Sequence, residues 1–192
     1  MYNLGEQFKI DFKSAVANEK MMVSGNNYRF TVLSPRVIRL EYSTDGGFLD
    51  KPTGLILHRN LSMPEFKVND SGHFVEISTE YFKLTYTKER PFEGSKVNPT
   101  INLKVELLGT DKVWYYGHPE IRNYGVPALG LEEGGTNGRG LYSPEGMASI
   151  DDSKDFIWNE DGTTATRIGT NIDIYLFMYN KDFELALKDY YE

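Results

Sequence analysis

The chain of 192 residues contains no cysteine. This absence excludes disulfide bonds, thiolate metal sites and a cysteine nucleophile. Residues 1–6 (MYNLGE) also lack the apolar core of a secretion signal. Because disulfides are typical of secreted proteins, both absences make the cytoplasm the expected location.

Long apolar runs and clusters of basic residues are missing as well. No stretch approaches the roughly 20 apolar residues that a membrane-spanning helix needs. The formal net charge is -7, whereas nucleic acids and anionic membranes attract clustered Lys and Arg. We therefore expect neither a nucleic acid nor a membrane as a partner.

Signatures of common catalytic and cofactor sites are absent too. The three histidines, His58, His73 and His118, share no metal-ligand spacing. No Gly-x-Ser-x-Gly elbow for a nucleophilic serine occurs. The glycine-rich stretch 130–140 (GLEEGGTNGRG) lacks the Lys-Ser/Thr of a phosphate loop and carries two carboxylates. We therefore expect no metal and no other cofactor.

Aromatic residues are abundant, at 14% of the chain. Aromatic side chains favour half-buried, pleated surfaces, so this composition indicates β structure. Their faces also stack on the apolar faces of pyranose rings. Filling of a sandwich core accounts for most of them.

Alternation of apolar and polar residues predicts many short strands. In residues 101–107 (INLKVEL) every odd position is apolar and every even position is polar, as in a strand with one buried face. The same period of two occurs in residues 8–12, 38–42, 75–77 and 82–86. Turn sequences at 45–47 (DGG), 70–72 (DSG) and 161–162 (DG) separate the runs, the last two within hairpins. Short strands joined by tight turns indicate an all-β antiparallel sandwich.

The end of the sequence follows a different pattern. Residues 172–179 (IDIYLFMY) form a nearly continuous apolar strand, which predicts burial on both faces. Phe183, Ala186, Leu187 and Tyr190 then recur at helical spacing, so a helix is expected, with Asn180 or Asp182 near its start. The predicted organisation is a β-sandwich over residues 1–179 and a helix over residues 180–192.

Two neighbouring acidic pairs were tested as a general acid and base. They are Glu132 with Glu133, and Asp151 with Asp152. Glycosidases place two carboxylates on opposite sides of the scissile bond, about 5–9.5 Å apart. Adjacent residues of a strand point to opposite faces, so neither pair suits this geometry. Residues 151–153 are more simply a turn after a strand at 147–150. We predict no catalytic residue in the chain.

Seven segments of the chain, taken in order, form a specific pattern. They are 37–43 (VIRLEYS), 47–53 (GFLDKPT), 59–60 with Pro64, 77–86 (ISTEYFKLTY), 140–153 (GLYSPEGMASIDDS), 173–177 (DIYLF) and 183–191 (FELALKDYY). Together they resemble the N-terminal domain of glycoside hydrolase family 31, which includes α-glucosidases and α-xylosidases. The resemblance covers nearly the whole chain, and no single motif would suffice.

This resemblance implies a galactose-mutarotase-like β-sandwich that packs on a (β/α)₈ barrel of the same polypeptide. In that family the barrel holds both catalytic aspartates of a retaining mechanism, and neither aspartate's motif occurs in this chain. The resemblance also implies an acidic residue on a loop over the active-site rim, before the segment 140–153. Glu132, with Glu133 beside it, holds the corresponding position within the long loop 117–140, and is therefore the expected contact to a small oligosaccharide.

A free-standing carbohydrate-binding module is the alternative interpretation, consistent with the aromatic content. The two hypotheses differ in what the isolated chain does. A domain without its barrel exposes an apolar docking face and tends to self-associate, whereas a module binds oligosaccharide by itself.

Overall fold

Two five-stranded antiparallel sheets make up the body of the protein. The computed structural model describes residues 9–94, 102–119, 141–167, 169 and 171–192. The first sheet has the order β1-β2-β3-β12-β9 and the second the order β4-β5-β6-β7-β8. A third, two-stranded sheet consists of the hairpin β10-β11. This arrangement confirms the predicted all-β class.

The strand bounds are as follows. The first sheet contains β1 (Met22–Ser24), β2 (Tyr28–Val32), β3 (Val37–Tyr42), β9 (Met147–Asp151) and β12 (Ile172–Met178). The second contains β4 (Lys67–Asp70), β5 (Phe74–Ser78), β6 (Phe82–Thr87), β7 (Leu103–Leu107) and β8 (Val113–Tyr115). The hairpin consists of β10 (Phe156–Trp158) and β11 (Thr164–Thr166).

The main core lies between the facing sides of the two large sheets. On β6 and β7 the buried and half-buried positions alternate as the period of two predicts. Rings from both sheets meet there: Phe30 of the first sheet packs edge-on against Tyr86 of the second, with centroids 5.2 Å apart. Phe92, from the loop after β6, stacks on Phe30. Such pairs add stabilisation beyond their buried area.

The opposite face of the first sheet is also covered, and we call it the outer face. Every residue of β2 and β3 is buried, and so are all residues of β12 after Ile172. A second apolar cluster joins the sheet to the N-terminal segment through Met21 and to the C-terminal helix through Ala186. Burial of residues 172–179 on both faces is thereby confirmed.

Most predicted local elements are present, with one exception. Residues 70–72 join β4 to β5, and residues 161–162 lie between β10 and β11, as hairpin turns. The helix α1 (Phe183–Tyr191) begins after Asp182, whose carboxylate accepts a hydrogen bond from the Tyr81 hydroxyl instead of capping the helix. The strand expected over residues 8–12 is wrong for its described part, because residues 9–12 form no strand. Ile10 and Phe12 are half-buried in irregular chain.

Candidate functional site

The residues expected to contact sugar, Glu132 and Glu133, lie outside the described residues. The same holds for most of the loop 117–140, of which only residues 117–119 are described. Their assignment therefore stays a prediction.

The histidines are dispersed over the part of the chain that is described. His58 and His73 are exposed, and the Nε2 atom of His118 is 4.0 Å from the Glu145 carboxylate. Nowhere in the described ranges do three His, Asp or Glu side chains meet in a group that could hold a metal. Nor does any helix in those ranges have the length and hydrophobicity to cross a membrane.

The adjacent acids Asp151 and Asp152 differ in their exposure to solvent. Asp151 ends β9 and is exposed, whereas Asp152 is fully buried beneath the outer face. The expected turn begins one residue later than predicted, because Asp151 still belongs to β9. Their opposite orientations agree with the argument that they cannot work as a catalytic couple.

Asp152 instead belongs to a group of charged side chains on the outer face, which we call the charge cluster. Its members are four guanidinium groups and four carboxylates, from Arg29, Arg39, Glu41, Asp50, Arg59, Asp152, Arg167 and Asp173. All except Asp50 and Arg167 are buried residues. Basic and acidic groups are thus equal in number in a region with little access to water.

The register of the strands explains why these charges meet. Glu41 on β3 lies between Arg29 on β2 and Asp173 on β12 in one cross-strand row. Like charges that face each other across strands repel. Arg39 relieves this repulsion, because its Nη2 atom is 3.0 Å from Glu41 and 2.7 Å from Asp173. The residues of β2, β3 and β12 that form this row are thus charged and nevertheless buried.

Asp173 has the most complete set of partners. Its Oδ1 atom accepts a hydrogen bond from Arg39 Nε at 2.8 Å. Its Oδ2 atom accepts from Arg39 Nη2 at 2.7 Å and from Arg167 Nη1 at 2.9 Å. Burial alone raises the pKa of this carboxyl, but Arg39, Arg167 and Arg59 outweigh burial and lower the pKa to about 2.

Asp152 is the less well paired carboxyl of the cluster. Its Oδ2 atom accepts from the Thr53 hydroxyl at 3.0 Å and is 3.8 Å from Arg59 Nη2. Its Oδ1 atom and Arg59 Nη2 have no hydrogen-bond partner among the described residues. Burial raises the pKa of Asp152 to about 7, and the negative charge of Asp173 adds to the rise, while Thr53, Arg59 and Arg167 oppose it.

The charge cluster fastens irregular chain to the first sheet. Arg29 binds Asp50 through two hydrogen bonds of 2.7 and 2.9 Å. Arg59 donates to the backbone oxygens of Ala15 and Lys51, both at 3.0 Å.

A general acid with a pKa near 7 would suit catalysis, but Asp152 is completely buried and cannot touch a substrate. The cluster is therefore structural.

A second feature of the outer face is an exposed apolar surface around α1. The helix turns Ala186 and the Asp189 carboxylate towards the sheet, where Asp189 forms a bidentate pair with Arg36 at 2.7 and 2.8 Å. The larger apolar side chains of the helix remain exposed: Phe183, Leu185, Leu187, Tyr190 and Tyr191. Tyr191 is 78% exposed.

Residues 55–61 border the same surface across a groove of about 290 Å³. Exposed Leu55 and Leu57 line one side of the groove, and Tyr190 and Tyr191 line the other. We call these four residues, with Phe183 and Leu187, the α1 surface. Single exposed apolar residues are common, whereas contiguous apolar patches mark interaction surfaces.

Sequence reasoning missed the charge cluster, although one signal was available. Asp173 is a charged residue inside an otherwise apolar strand, and such a position requires a buried partner of opposite charge. Arg39, at a polar position of β3, is that partner.

Comparisons with known proteins find a likeness in structure but no match among family models or curated proteins. No family model and no curated protein matches the chain. Two solved structures of a GH31 dextranase from Flavobacterium johnsoniae, one complexed with glucose and one a mutant complexed with isomaltotriose, are similar to it at 16% identity and a TM-score of 0.47. Each match covers 86% of this chain and 25% of the dextranase chain. The chain thus spans about a quarter of the length of these structures, and a likeness of this degree carries no argument about activity.

Proposed function

We propose that this chain is the non-catalytic β-sandwich domain of a retaining α-glycosidase, of the α-glucosidase type, and that it acts in the cytoplasm. It packs on the catalytic barrel of the same polypeptide and shapes the substrate entrance. The observation that carries the proposal is the α1 surface, an apolar face with no cover from the described residues.

The build of the α1 surface supports a docking role. Asp189, paired with Arg36, holds the helix in one orientation on the sheet. The helix therefore presents a fixed apolar stripe. Full burial of one large apolar side chain contributes about 1.5–3 kcal/mol. A barrel that covers Leu57, Tyr190 and Tyr191 would gain several kcal/mol, which suits a stable contact between domains.

The position of one family-like segment supports the catalytic barrel as the partner. The residues that resemble glycoside hydrolase family 31 include 183–191, which coincide with α1. The α1 surface and the family resemblance thus involve the same element. Within this proposal Glu132, with Glu133, contacts the small oligosaccharide substrate at the rim of the active site.

Self-association of the isolated chain tests the proposal. We expect concentration-dependent oligomers in sedimentation velocity and binding of a hydrophobic dye, because the α1 surface lacks its barrel. Leu57→Lys and Tyr191→Lys should reduce both signals. The matched control is Phe74→Lys, because Phe74 is an exposed aromatic residue on the second sheet, far in sequence from α1.

Activity measurements complete this test. The isolated chain should not turn over aryl α-glycosides at high protein concentration, because its sequence contains neither motif of the two catalytic aspartates that the resemblance implies. A monodisperse monomer without dye binding would contradict the docking role. Turnover that a point mutation in this chain abolishes would contradict the non-catalytic role.

A further inference from the structure

A second pocket lies away from the α1 surface, between the hairpin β10-β11 and two irregular segments. It has a volume of about 300 Å³ and is lined by Phe12, Asp50, Lys51, Trp158, Asn159 and Glu160. This volume is at the lower end of the range for small-molecule sites. The pocket therefore suits a ligand of about the size of one sugar ring.

The aromatic residues give the pocket an apolar wall. Trp158 lines the pocket and is half-buried. Phe156 packs edge-on against the Trp158 ring, with centroids 5.3 Å apart. The backbone N–H of Trp158 also donates to Pro52 at 2.9 Å. The indole is thereby held in place, and a fixed ring loses little entropy when a ligand stacks on it.

The polar residues of the pocket supply both hydrogen-bond acceptors and a donor. Asp50 is an oriented acceptor, because Arg29 clamps its carboxylate from the charge cluster while the side chain stays 38% exposed. Glu160 and Lys51 both line the pocket and are exposed, and no hydrogen bond or ion pair joins their charged groups to another described side chain. Both groups are therefore open to a ligand.

We propose that this pocket binds one pyranose ring of the D-gluco configuration. Equatorial hydroxyls leave both faces of such a ring apolar, so one face can stack on Trp158. The hydroxyls at the rim can donate to Asp50 and Glu160 and accept from Lys51. An organic cation would also favour an aromatic ring beside carboxylates, but the Lys51 ammonium repels it, so a neutral polyol fits better.

This inference goes beyond the proposed function and does not rest on it. A domain that packs on a barrel through the α1 surface can carry a sugar subsite of its own on the hairpin. The two interpretations of the chain, a docking domain and a carbohydrate-binding domain, then cease to exclude each other.

Tryptophan emission offers a direct measurement. The chain has two tryptophans, and Trp114 is only 2% exposed in the core, so a ligand-induced change in emission reports on Trp158. Methyl α-D-glucopyranoside should change the emission with a dissociation constant in the millimolar range, as expected for a ligand of this size. Saturation-transfer NMR with the same glycoside provides an independent measurement.

Variants locate the binding. Trp158→Ala should weaken binding at least tenfold. Because that change also loosens the hairpin, Glu160→Gln is the second variant, and it should weaken binding roughly tenfold through the lost charged acceptor. Phe74→Ala, an exposed aromatic residue elsewhere, should leave binding unchanged.

Three ligand-binding results would overturn the proposal, and so would one result with a variant. They are no response to the glycoside, an equal response to glycerol, and a response to choline in place of the glycoside. Equal binding by the parent chain and Glu160→Gln would also overturn it. None of these variants alters the α1 surface, so failure here leaves the docking test unaffected.

Discussion

Replacement of Asp173 by asparagine tests the structural role of the charge cluster. The side chain is completely buried, and three hydrogen bonds from Arg39 and Arg167 reach its two oxygens. An asparagine of the same shape removes the negative charge and turns an amide donor towards guanidinium donors. Loss of one partner from a buried ion pair costs about 3–5 kcal/mol, because the remaining charge stays uncompensated.

Urea denaturation gives the magnitude directly. A domain of ordinary stability has about 5–15 kcal/mol to lose. With a slope of about 2 kcal/mol per molar urea, a loss of about 4 kcal/mol lowers the midpoint by about 2 M. The slope itself should stay unchanged, since the folded state buries the same surface.

The matched control is Glu76→Gln, which breaks the exposed ion pair between Glu76 and Lys83 on the second sheet. Exposed pairs contribute little, so its midpoint should barely move. The reasoning is refuted if Asp173→Asn and Glu76→Gln shift the midpoint equally.

Three further predictions concern other parts of the chain. The pKa of Asp152 rises from 3.8 to about 7 on folding, so between these values the folded state keeps a proton that the unfolded state loses. The free energy of unfolding should therefore fall by up to about 1.4 kcal/mol per pH unit from pH 4 towards 7. Urea titrations at several pH values measure this slope, which Asp152→Asn should flatten. Gly146→Ala should lower the melting temperature more than Gly72→Ala, since both glycines have positive φ but only at Gly146 would a Cβ meet backbone, 2.5 Å from the Asn180 oxygen. In the full-length α-glycosidase that we propose, Glu132→Gln should lower kcat/KM for a disaccharide roughly tenfold to a hundredfold at unchanged thermal stability. Parent-like kinetics of both Glu132→Gln and Glu133→Gln would remove the loop from the proposed substrate site.

The second sheet was predictable from local sequence. Its strands β6 and β7 have one face in the core and one partly in water, and this difference is what an alternation of period two records. The hairpin turns were predictable for a related reason. Asp, Ser and Gly stabilise tight reversals through short-range geometry, so the turn at 70–72 needs no information from distant residues.

The first sheet shows where local patterns fail. Arg39 and Glu41 look like the wet side of β3, yet residues far away in sequence cover them. Coverage of the outer face depends on where residues 47–61 lie, and this depends on ion pairs such as Arg29 with Asp50 that no periodicity encodes. The strand expected over residues 8–12 fails in its described part, where residues 9–12 form irregular chain although Ile10 and Phe12 keep the period of two.

The docking side of the helix and the substrate contact could not be predicted from periodicity alone. The helix at 183–191 was predictable from its spacing, but the spacing cannot tell which side of the helix meets the sheet. The structure places Ala186 there and leaves Tyr191 exposed. The assignment of Glu132 rests on the family resemblance, and it stays a prediction.

Turnover by the full-length product of the gene that encodes this chain tests the central claim most directly. Assayed with aryl α-glucosides, α-xylosides and α-galactosides, the product should hydrolyse one class, with the α-glucoside expected. The isolated chain should hydrolyse none, and Tyr191→Lys should weaken the stability of the full-length protein more than Phe74→Lys does. A full-length product without any α-glycosidase activity, or an isolated chain with as much activity as the whole, would contradict the account.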